Sequence, residues 1–506
     1  MARGPTYGKP VAMSTEQTQH DEDTAQLAAL GYTSQFKRKM SLWANVSLGF
    51  TYLSPVVGVY SLFAFALATG GPPMIWSFVI VGLGQFLVAL VFGEIVSQFP
   101  VAGGVYPWAR RLWGKRWAWM TGWVYLVALL VTIASVAYGA GPYLSSLLGI
   151  DVTVNNTILT ALLLLAVATV INLAGTRALS MAAMIGFGAE LGGAVVVGVW
   201  LMFTQRVNDL GVIFDTFGAG SGSDYFVAFT AAGLIGIYQY YGFEACGDVA
   251  EEVPDPGRRI PRAMRMTIYI GGAAATFVAL SLLLAVPDIA AVVNGDEADP
   301  VGVLLLDAFG SVGYKIVLAV VLVSFLSCVL SLQAAASRLT FSYARDKMIV
   351  GSQVFSHFWE ARHVPPFALA LAAVVPALVI VGSIASTDAL TKIISFAALG
   401  IYMGFHMVVF AALRARLLGW VPSGKFTLGR FGLAVNIAAL TWGVLGILNM
   451  VWPRTPDAPW YDNYLVLLSG AFVVLVGLVY MVVARPYDHG DAPSGDAVVR
   501  RTTVTR

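Results

Sequence analysis

Three glutamates lie inside or at the ends of long apolar stretches, where an ionisable side chain is costly to bury. They are Glu94, Glu190 and Glu244. Glu190 lies near the middle of its stretch, which contains no lysine or arginine. Burial without a basic partner favours the protonated form of a carboxyl group, so we expect Glu190 to bind and release a coupling proton. The alternative is a glutamate that stays neutral and hydrogen-bonded to a neighbouring helix.

The other two glutamates each have a structural alternative. Glu94 precedes the run Ser-Gln-Phe-Pro at 97–100, at the end of its apolar stretch, where a carboxylate can cap the membrane interface. Glu244 follows Gly242 and can accept hydrogen bonds from backbone amides that have no helical partner. We therefore expect a structural or gating role for both residues.

Two apolar stretches are interrupted in the middle by residues that break helices. The first has Pro55 between Gly49 and Gly58, and the proline removes an amide donor and clashes with the preceding turn. The second has Gly233 and then the run Tyr-Gln-Tyr-Tyr-Gly-Phe-Glu at 238–244. Inside a bilayer, broken helices persist only beside a cavity or packed protein. Breaks at matching positions in two halves indicate the midplane site of a secondary transporter, and ordinary kinked helices are the alternative.

The composition of the chain is that of a membrane protein. The chain has 506 residues, 58% hydrophobic and 11% charged, with a mean hydropathy of +0.77. Soluble proteins are about 45–50% apolar and about 25% charged, so a secreted enzyme, a soluble dinucleotide-binding domain and a nucleic-acid binder are excluded. The two cysteines, Cys246 and Cys328, form no disulfide framework or CxxC metal site. We find no enzyme motif and expect neither a cofactor nor a resident metal.

Twelve stretches are long enough to cross a bilayer, which takes about 20 apolar residues. The sequence therefore predicts an all-α polytopic membrane protein, flanked by disordered tails at 1–40 and 485–506. The predicted spans are 41–68, 73–98, 117–147, 154–174, 180–204, 226–247, 266–287, 312–336, 365–383, 389–413, 428–452 and 464–484.

The distribution of lysine and arginine predicts the orientation. Only Arg206, Lys315, Lys392 and Arg454 fall in segments on one side, so 26 of the 30 basic residues share the other. Basic loops mark the cytoplasmic side, and we expect a multi-pass plasma-membrane protein with both termini in the cytoplasm. The basic clusters are topology signals, and no nucleic-acid partner is expected.

Four motifs carry a resemblance to a known family. They are Phe-Gly-Glu-Ile-Val-Ser-Gln-Phe-Pro-Val-Ala-Gly-Gly-Val-Tyr-Pro-Trp at 92–108; Gly-Phe-Glu at 242–244 with Glu-Glu-Val-Pro-Asp-Pro at 251–256 and Ile-Pro-Arg-Ala at 260–263; Ala-Ser-Arg-Leu-Thr-Phe at 336–341 with Ala-Arg-Asp-Lys at 344–347; and Asn-Leu-Ala-Gly-Thr at 172–176. Together they resemble the amino acid–polyamine–organocation superfamily, most of all its amino acid/choline (GABA-permease-like) group. The resemblance extends from about 41 to 484.

The resemblance implies the leucine-transporter type of architecture and a secondary active transporter. Two inverted five-helix repeats, 41–204 and 226–413, would be followed by two further helices at 428–484. Such a protein imports or exchanges amino acids or related small amines by alternating access. No particular substrate and no oligomeric state follow from the resemblance.

The same resemblance implies where the substrate binds. Backbone groups of a first unwound segment would hold its carboxylate and ammonium groups, and Tyr238 would form an aromatic lid. Unlike the family's usual Gly-x-Gly, the first segment has two valines before a single glycine, which leaves open whether the ligand is an ordinary α-amino acid. The implied binding residues are Ser54, Pro55, Val56, Val57 and Gly58 in the first segment, and Tyr238, Gln239, Tyr240, Tyr241 and Gly242 in the second.

Two other readings stay open at this stage. In a sodium symporter, Ser324 and Ser327 would join carbonyl groups of the first helix around the ion. In some proton-coupled relatives a lysine of the fifth helix stands in for that sodium, and Glu190 falls at about the same place. A nutrient sensor that binds without net transport is the alternative of another class, and the short tails argue against it.

Overall fold

The computed structural model describes residues 15–33, 35–220, 224–385, 389–454 and 458–498. It contains ten helices that are long and apolar enough to cross a membrane, and two shorter apolar helices. We number them along the chain: α1 Leu42–Gly70, α2 Pro72–Gln98, α3 Lys115–Leu148, α4 Val154–Leu173, α5 Thr176–Gln205, α6 Tyr225–Gln239, α7 Pro256–Ala285, α8 Pro300–Arg345, α9 Pro366–Gly382, α10 Ala389–Leu417, α11 Gly429–Val451 and α12 Leu465–Ala484. The predicted all-α membrane fold is confirmed.

Three helices differ in extent from the apolar stretches that predicted them. The shorter α6 ends at Gln239 because the chain unwinds there, and only a short helix, Ala245–Asp248, follows. Two helices are longer than predicted: α7 begins at Pro256 and α8 continues to Arg345, so both extend past their apolar segments into charged sequence. Near its start α8 is interrupted at Gly310, whose φ is +63°.

The helices divide into central and lipid-facing ones. In α1, 83% of the apolar window is buried within the protein, against 11% in α12. In the predicted division, α1–α5 and α6–α10 are the two repeats; the apolar windows of α11 and α12, which follow them, are only 28% and 11% buried. The two interrupted helices, α1 and α6, are the first helices of these predicted repeats.

The described parts of both tails, residues 15–33 and 485–498, lie at one end of the bundle, which we call the terminal face. It includes the short helix Val105–Leu112, which connects α2 to α3. The Arg111 side chain contacts both tails, donating to the Leu30 carbonyl and pairing with Asp496. The other end of the bundle is called the opposite face.

The tails are more ordered than the sequence indicated. Residues Thr15–Ala29 form a helix within the segment expected to be disordered, and residues 1–14 lie outside the described part. Apolar side chains explain the order, because Leu27 and Tyr32 are buried against Val101 of the terminal face. In the C-terminal tail, the amide of Gly495 donates to the Arg110 carbonyl at 2.9 Å.

Candidate functional site

The interruption of α1 falls at Ser54 and Pro55. One helical half ends at Leu53 and the other begins at Pro55, which has no amide hydrogen to continue the first. Ser54 lies between them with a φ of +42°, and its hydroxyl accepts a hydrogen bond from the Val57 amide at 3.2 Å. The serine is therefore the N-cap of the second half of α1.

Glu190 of α5 binds this interruption directly. Its Oε1 accepts hydrogen bonds from the Ser54 hydroxyl at 2.6 Å and from the Val56 amide at 3.0 Å. The residue is fully buried, and within the described part of the chain its Oε2 has no hydrogen-bond partner. A helix N-terminus attracts negative charge, so the start of the second half of α1 is a favourable place for a carboxylate. The structure thus brings the buried glutamate predicted to carry the proton into contact with the helix interruption predicted to bind substrate.

The interruption of α6 packs against that of α1 through a glycine. Gly242 has a φ of +115°, and a Cβ there would lie 2.5 Å from the Leu53 nitrogen. Any other residue would push the two interruptions apart. The Gly242 amide donates to Glu244 Oε2 at 2.7 Å, and the Tyr125 hydroxyl donates to Oε1 at 3.0 Å. Glu244 therefore binds a backbone amide released by the break, as its structural alternative predicts.

Gln239 connects the two interruptions with its side chain. Its Nε2 donates to the Leu53 carbonyl at 3.0 Å, which satisfies an acceptor at the end of the first half of α1. Its Oε1 lies close to Gly58, where a Cβ would meet it at 2.2 Å. The carboxamide fits only because residue 58 has no side chain.

The aromatic residues of the second segment separate into two groups. The Tyr238 hydroxyl is 3.0 Å from the Ser135 hydroxyl, and the Tyr238 ring packs edge-on against Tyr241 with centroids 5.5 Å apart. Tyr241 also packs edge-on against Tyr52 of α1. Tyr240 instead inserts between α2 and α7, near Gly82 and Gly272. Tyr238 and Tyr241 lie beside the α1 interruption, and Tyr240 lies away from it.

The backbone amides of the first segment are engaged in this conformation. Val56 donates to Glu190, Val57 donates to the Ser54 hydroxyl, and the Gly58 amide donates to the Ser54 carbonyl at 3.1 Å. Pro55 has no amide hydrogen. A substrate carboxylate would therefore have to replace one of these acceptors, and binding by residues 54–58 stays a prediction.

The remaining predicted residues lie at two other places. Glu94, at the end of α2, pairs with Arg416 and accepts from the Leu428 amide at 2.8 Å, so it joins α2 to the end of α10. Ser324 and Ser327 of α8 donate to carbonyls of their own helix, those of Val320 and Ser324. The described residues contain no group of three or more His, Cys, Asp or Glu side chains placed to hold a metal ion.

A set of buried ion pairs on the terminal face was not predicted from the sequence. Two of the pairs join the segment that follows α6 to the end of α8, and the third joins the segment that follows α2 to the end of α8. Their residues belong to the family-like motifs, which was the available signal, but the pairing partners are far apart in sequence. The pairs are Arg338–Glu252 at 3.0 Å, Arg345–Glu251 at 3.0 Å and Arg110–Asp346 at 2.7 Å.

Comparison with known families decides the class of protein. The model of a family described as "Amino acid permease" matches residues 41–484. The chain belongs to the amino acid permease family. This permease is therefore a multi-pass membrane transporter and not an enzyme, as the motifs predicted.

Individual relatives are distant but span almost the whole chain. An amino-acid permease BAT1 homolog of Oryza sativa subsp. japonica is 27% identical over 503 residues, 93% of this chain and 95% of the relative. Amino-acid permease BAT1 of Arabidopsis thaliana is 25% identical, over 86% of this chain and 90% of the relative.

Solved structures agree on the fold. Two crystal structures of a manganese transporter from Eremococcus coleocola superpose with TM-scores of 0.59 and 0.56 at 12% and 14% identity. The first covers 89% of this permease and 94% of the transporter, and the second 93% and 96%. The predicted leucine-transporter type of architecture is confirmed.

Proposed function

We propose that this permease imports amino acids or related small organic amines across the plasma membrane by alternating access, driven by protons. In this proposal both termini are cytoplasmic and the opposite face is extracellular. The observation that carries the proposal is the contact of Glu190 with the α1 interruption. A titratable group that holds the unwound segment can transmit its protonation state to the substrate site.

The substrate class rests on the family and on the chemistry of the two interruptions. The relatives are named amino-acid permeases. Released backbone amides and carbonyls can hold a carboxylate and an ammonium group, and half-helix ends add favourable dipoles. The ring of Tyr238 can cover an ammonium group through a cation–π contact. The site we propose lies between Ser54–Gly58 and Tyr238–Gly242.

Protonation of Glu190 would change how firmly α5 holds α1. Hydrogen bonds to a carboxylate are about twice as strong as those to a neutral acceptor. An ionised Glu190 therefore holds Ser54 and Val56 more firmly than a protonated one, and the free Oε2 is the oxygen that can carry the proton. A proton taken up from the extracellular side would loosen the contact, and its release to the cytoplasm would restore it.

Accumulation of labelled substrate in proteoliposomes tests this coupling. We would compare the wild type with Glu190→Gln, which keeps the shape of the side chain and removes the titration. Accumulation driven by an inward proton gradient should be lost in the variant, and binding of labelled substrate should remain. Glu244→Gln is the matched control, because Glu244 is equally buried and also accepts from a backbone amide.

Three outcomes would overturn parts of the proposal. Unchanged gradient-driven accumulation in Glu190→Gln removes the proton role of Glu190. Accumulation that follows a sodium gradient, and is lost in Ser327→Ala, favours the sodium symporter. Saturable binding without any uptake or exchange by the wild type favours a sensor over a transporter.

A further inference from the structure

An apolar groove lies between α2, α6 and α11, in the half of the bundle near the opposite face. Its volume is about 430 Å³, which is within the range of small-molecule sites. Side chains from all three helices line it and face outward, among them Ile80, Phe226 and Leu445. In a membrane-spanning bundle, such a groove opens to the acyl chains of the lipid.

A cation that has no counter-charge among the described residues lies at the mouth of this groove. Arg454 donates to the Asn449 side chain, which in turn donates to the Thr230 carbonyl at 2.9 Å. Within the described part of the chain, no carboxylate forms an ion pair with Arg454, and its Nε is buried without a partner. Burial lowers the pKa of Arg454, because desolvation disfavours its charge. A bound anion would compensate that cost.

Two other basic residues on the opposite face are paired with carboxylates, whereas Lys315 forms no ion pair within the described residues. Arg206 pairs with Asp209 at 3.5 Å, and Lys392 pairs with Asp462 at 3.1 Å. Among the described residues, Arg454 differs from Arg206 and Lys392 in having no carboxylate partner, and from Lys315 in lining the groove.

Aromatic residues place this mouth at the level of lipid headgroups. Trp76, at the start of α2, and Trp452, just after α11, are both exposed, and so are Trp460 and Tyr461 before α12. Tryptophan and tyrosine concentrate at membrane–water interfaces. The groove thus runs from the headgroup level at Arg454 down into the hydrocarbon level.

We propose that this groove binds one anionic phospholipid of the extracellular leaflet, with its phosphate on Arg454 and an acyl chain between α2, α6 and α11. A guanidinium group donates two parallel hydrogen bonds to a phosphate. Ser77 lines the groove, and its buried hydroxyl has no partner among the described residues, so it can donate to an ester carbonyl of the lipid.

The bound lipid would contact the half of α6 that precedes its interruption. Gly233 and Ile237 of α6 line the groove, and Tyr238 follows directly. An acyl chain packed there restrains the helix that carries the second substrate-binding segment. The groove is nevertheless separate from that segment, so lipid binding can be measured without transport.

Native mass spectrometry of the detergent-purified full chain tests the proposal. The protein is titrated with phosphatidylglycerol or with phosphatidylcholine of the same acyl chains. We expect the wild type to retain phosphatidylglycerol preferentially. Arg454→Gln should weaken that retention about tenfold, as for loss of a charge-assisted bond, and Arg206→Gln on the same face should leave it unchanged.

A second pair of variants tests the acyl-chain part. Ile80→Trp fills the groove and should lower retention of both lipids. Leu83→Trp is its control, because Leu83 is also lipid-exposed on α2 but does not line the groove. Excess inorganic phosphate should not displace the lipid. Equal retention of the two lipids by the wild type, wild-type retention by Arg454→Gln, or identical behaviour of the two tryptophan variants would each overturn the proposal.

Discussion

Tyr238 brings an aromatic ring to the space beside the α1 interruption, and its contribution to substrate binding can be separated into ring and hydroxyl. A cation–π contact with an ammonium group is worth about 0.5–2 kcal/mol. We expect Tyr238→Ala to weaken substrate binding several-fold more than Tyr238→Phe, measured by equilibrium binding to purified protein. The phenylalanine variant keeps the ring and loses only the bond to Ser135.

Ser135→Ala is the control for that bond. It should match Tyr238→Phe, because each variant removes one partner of the same hydrogen bond. If Tyr238→Ala binds substrate as tightly as the wild type, the ring serves only to pack the helices.

Gly58 leaves the room that the Gln239 carboxamide occupies. A larger residue at 58 would push that group away from the Leu53 carbonyl and leave a buried acceptor without its donor, at a cost of about 1–3 kcal/mol. We expect Gly58→Leu to abolish uptake while the protein still inserts and elutes as a single species. Gly188→Leu is the matched control, because a side chain at Gly188 meets nothing within 4 Å. Normal uptake by Gly58→Leu would contradict the proposed site.

At the residue scale, the sequence singles out Glu190 but not the groups that it contacts. An acidic residue without a basic neighbour stands out in an apolar stretch, since burial of a charge is costly wherever the helix packs. Ser54 lies 136 residues away, and only the packing of α5 against α1 brings the two together. Spacing along a single chain carries no information on that register.

At the scale of elements, the contact between the two interruptions depends on Gly242. A substitution there meets two penalties, the left-handed backbone at about 1–2 kcal/mol and the clash with the backbone at Leu53. We expect Gly242→Ala to abolish uptake in proteoliposomes.

Gly295→Ala separates the two penalties. Gly295 has a φ of +82° and open space around a Cβ, so its variant meets the backbone penalty alone. It should retain uptake. Similar uptake by the two variants would indicate that the close approach of the α1 and α6 segments is not required.

Hydropathy predicted where the helices cross the membrane, because the bilayer itself demands apolar residues there. It could not predict the extensions of α7 and α8, because their charged residues indicated loops. A helix in contact with water tolerates such residues. The tail helix Thr15–Ala29 was missed for a related reason. Its polar sequence offers few apolar residues, and those few find partners only on the assembled terminal face.

At the scale of the whole molecule, buried ion pairs join the segments of the terminal face to one another. Arg338 and Glu252 are both almost fully buried, so removing one partner leaves the other as an uncompensated charge, at a cost of about 3–5 kcal/mol. We expect Glu252→Gln to lower the apparent unfolding temperature of the purified protein clearly. The double variant Glu252→Gln with Arg338→Gln should recover part of that loss. No change in the single variant would mean that the pair contributes nothing to this conformation.

The same ion pairs should govern access to the centre of the protein from the terminal face. Cys246 lies on that side of the interruptions, where its Sγ is 3.4 Å from the Asn45 carbonyl of α1 and 3.7 Å from the Thr267 hydroxyl of α7. If alternating access moves the first half of α1 away from α7, this buried thiol becomes exposed. With two cysteines in the chain, Cys328→Ser leaves Cys246 as a unique reporter.

In that Cys328→Ser background, Glu252→Gln combined with Arg338→Gln should raise the rate of maleimide labelling several-fold, because the proposed opening of the terminal face no longer has to break this ion pair. Lys347→Gln is the control, since Lys347 and Asp491 form an exposed pair on the same face, and exposed pairs stabilise little. Substrate and a proton gradient should raise the labelling rate of the protein that keeps the Arg338–Glu252 pair. They should change the labelling rate less in the double variant that lacks it. Equal labelling rates with and without the buried pair would place the moving element of the terminal face somewhere other than α1.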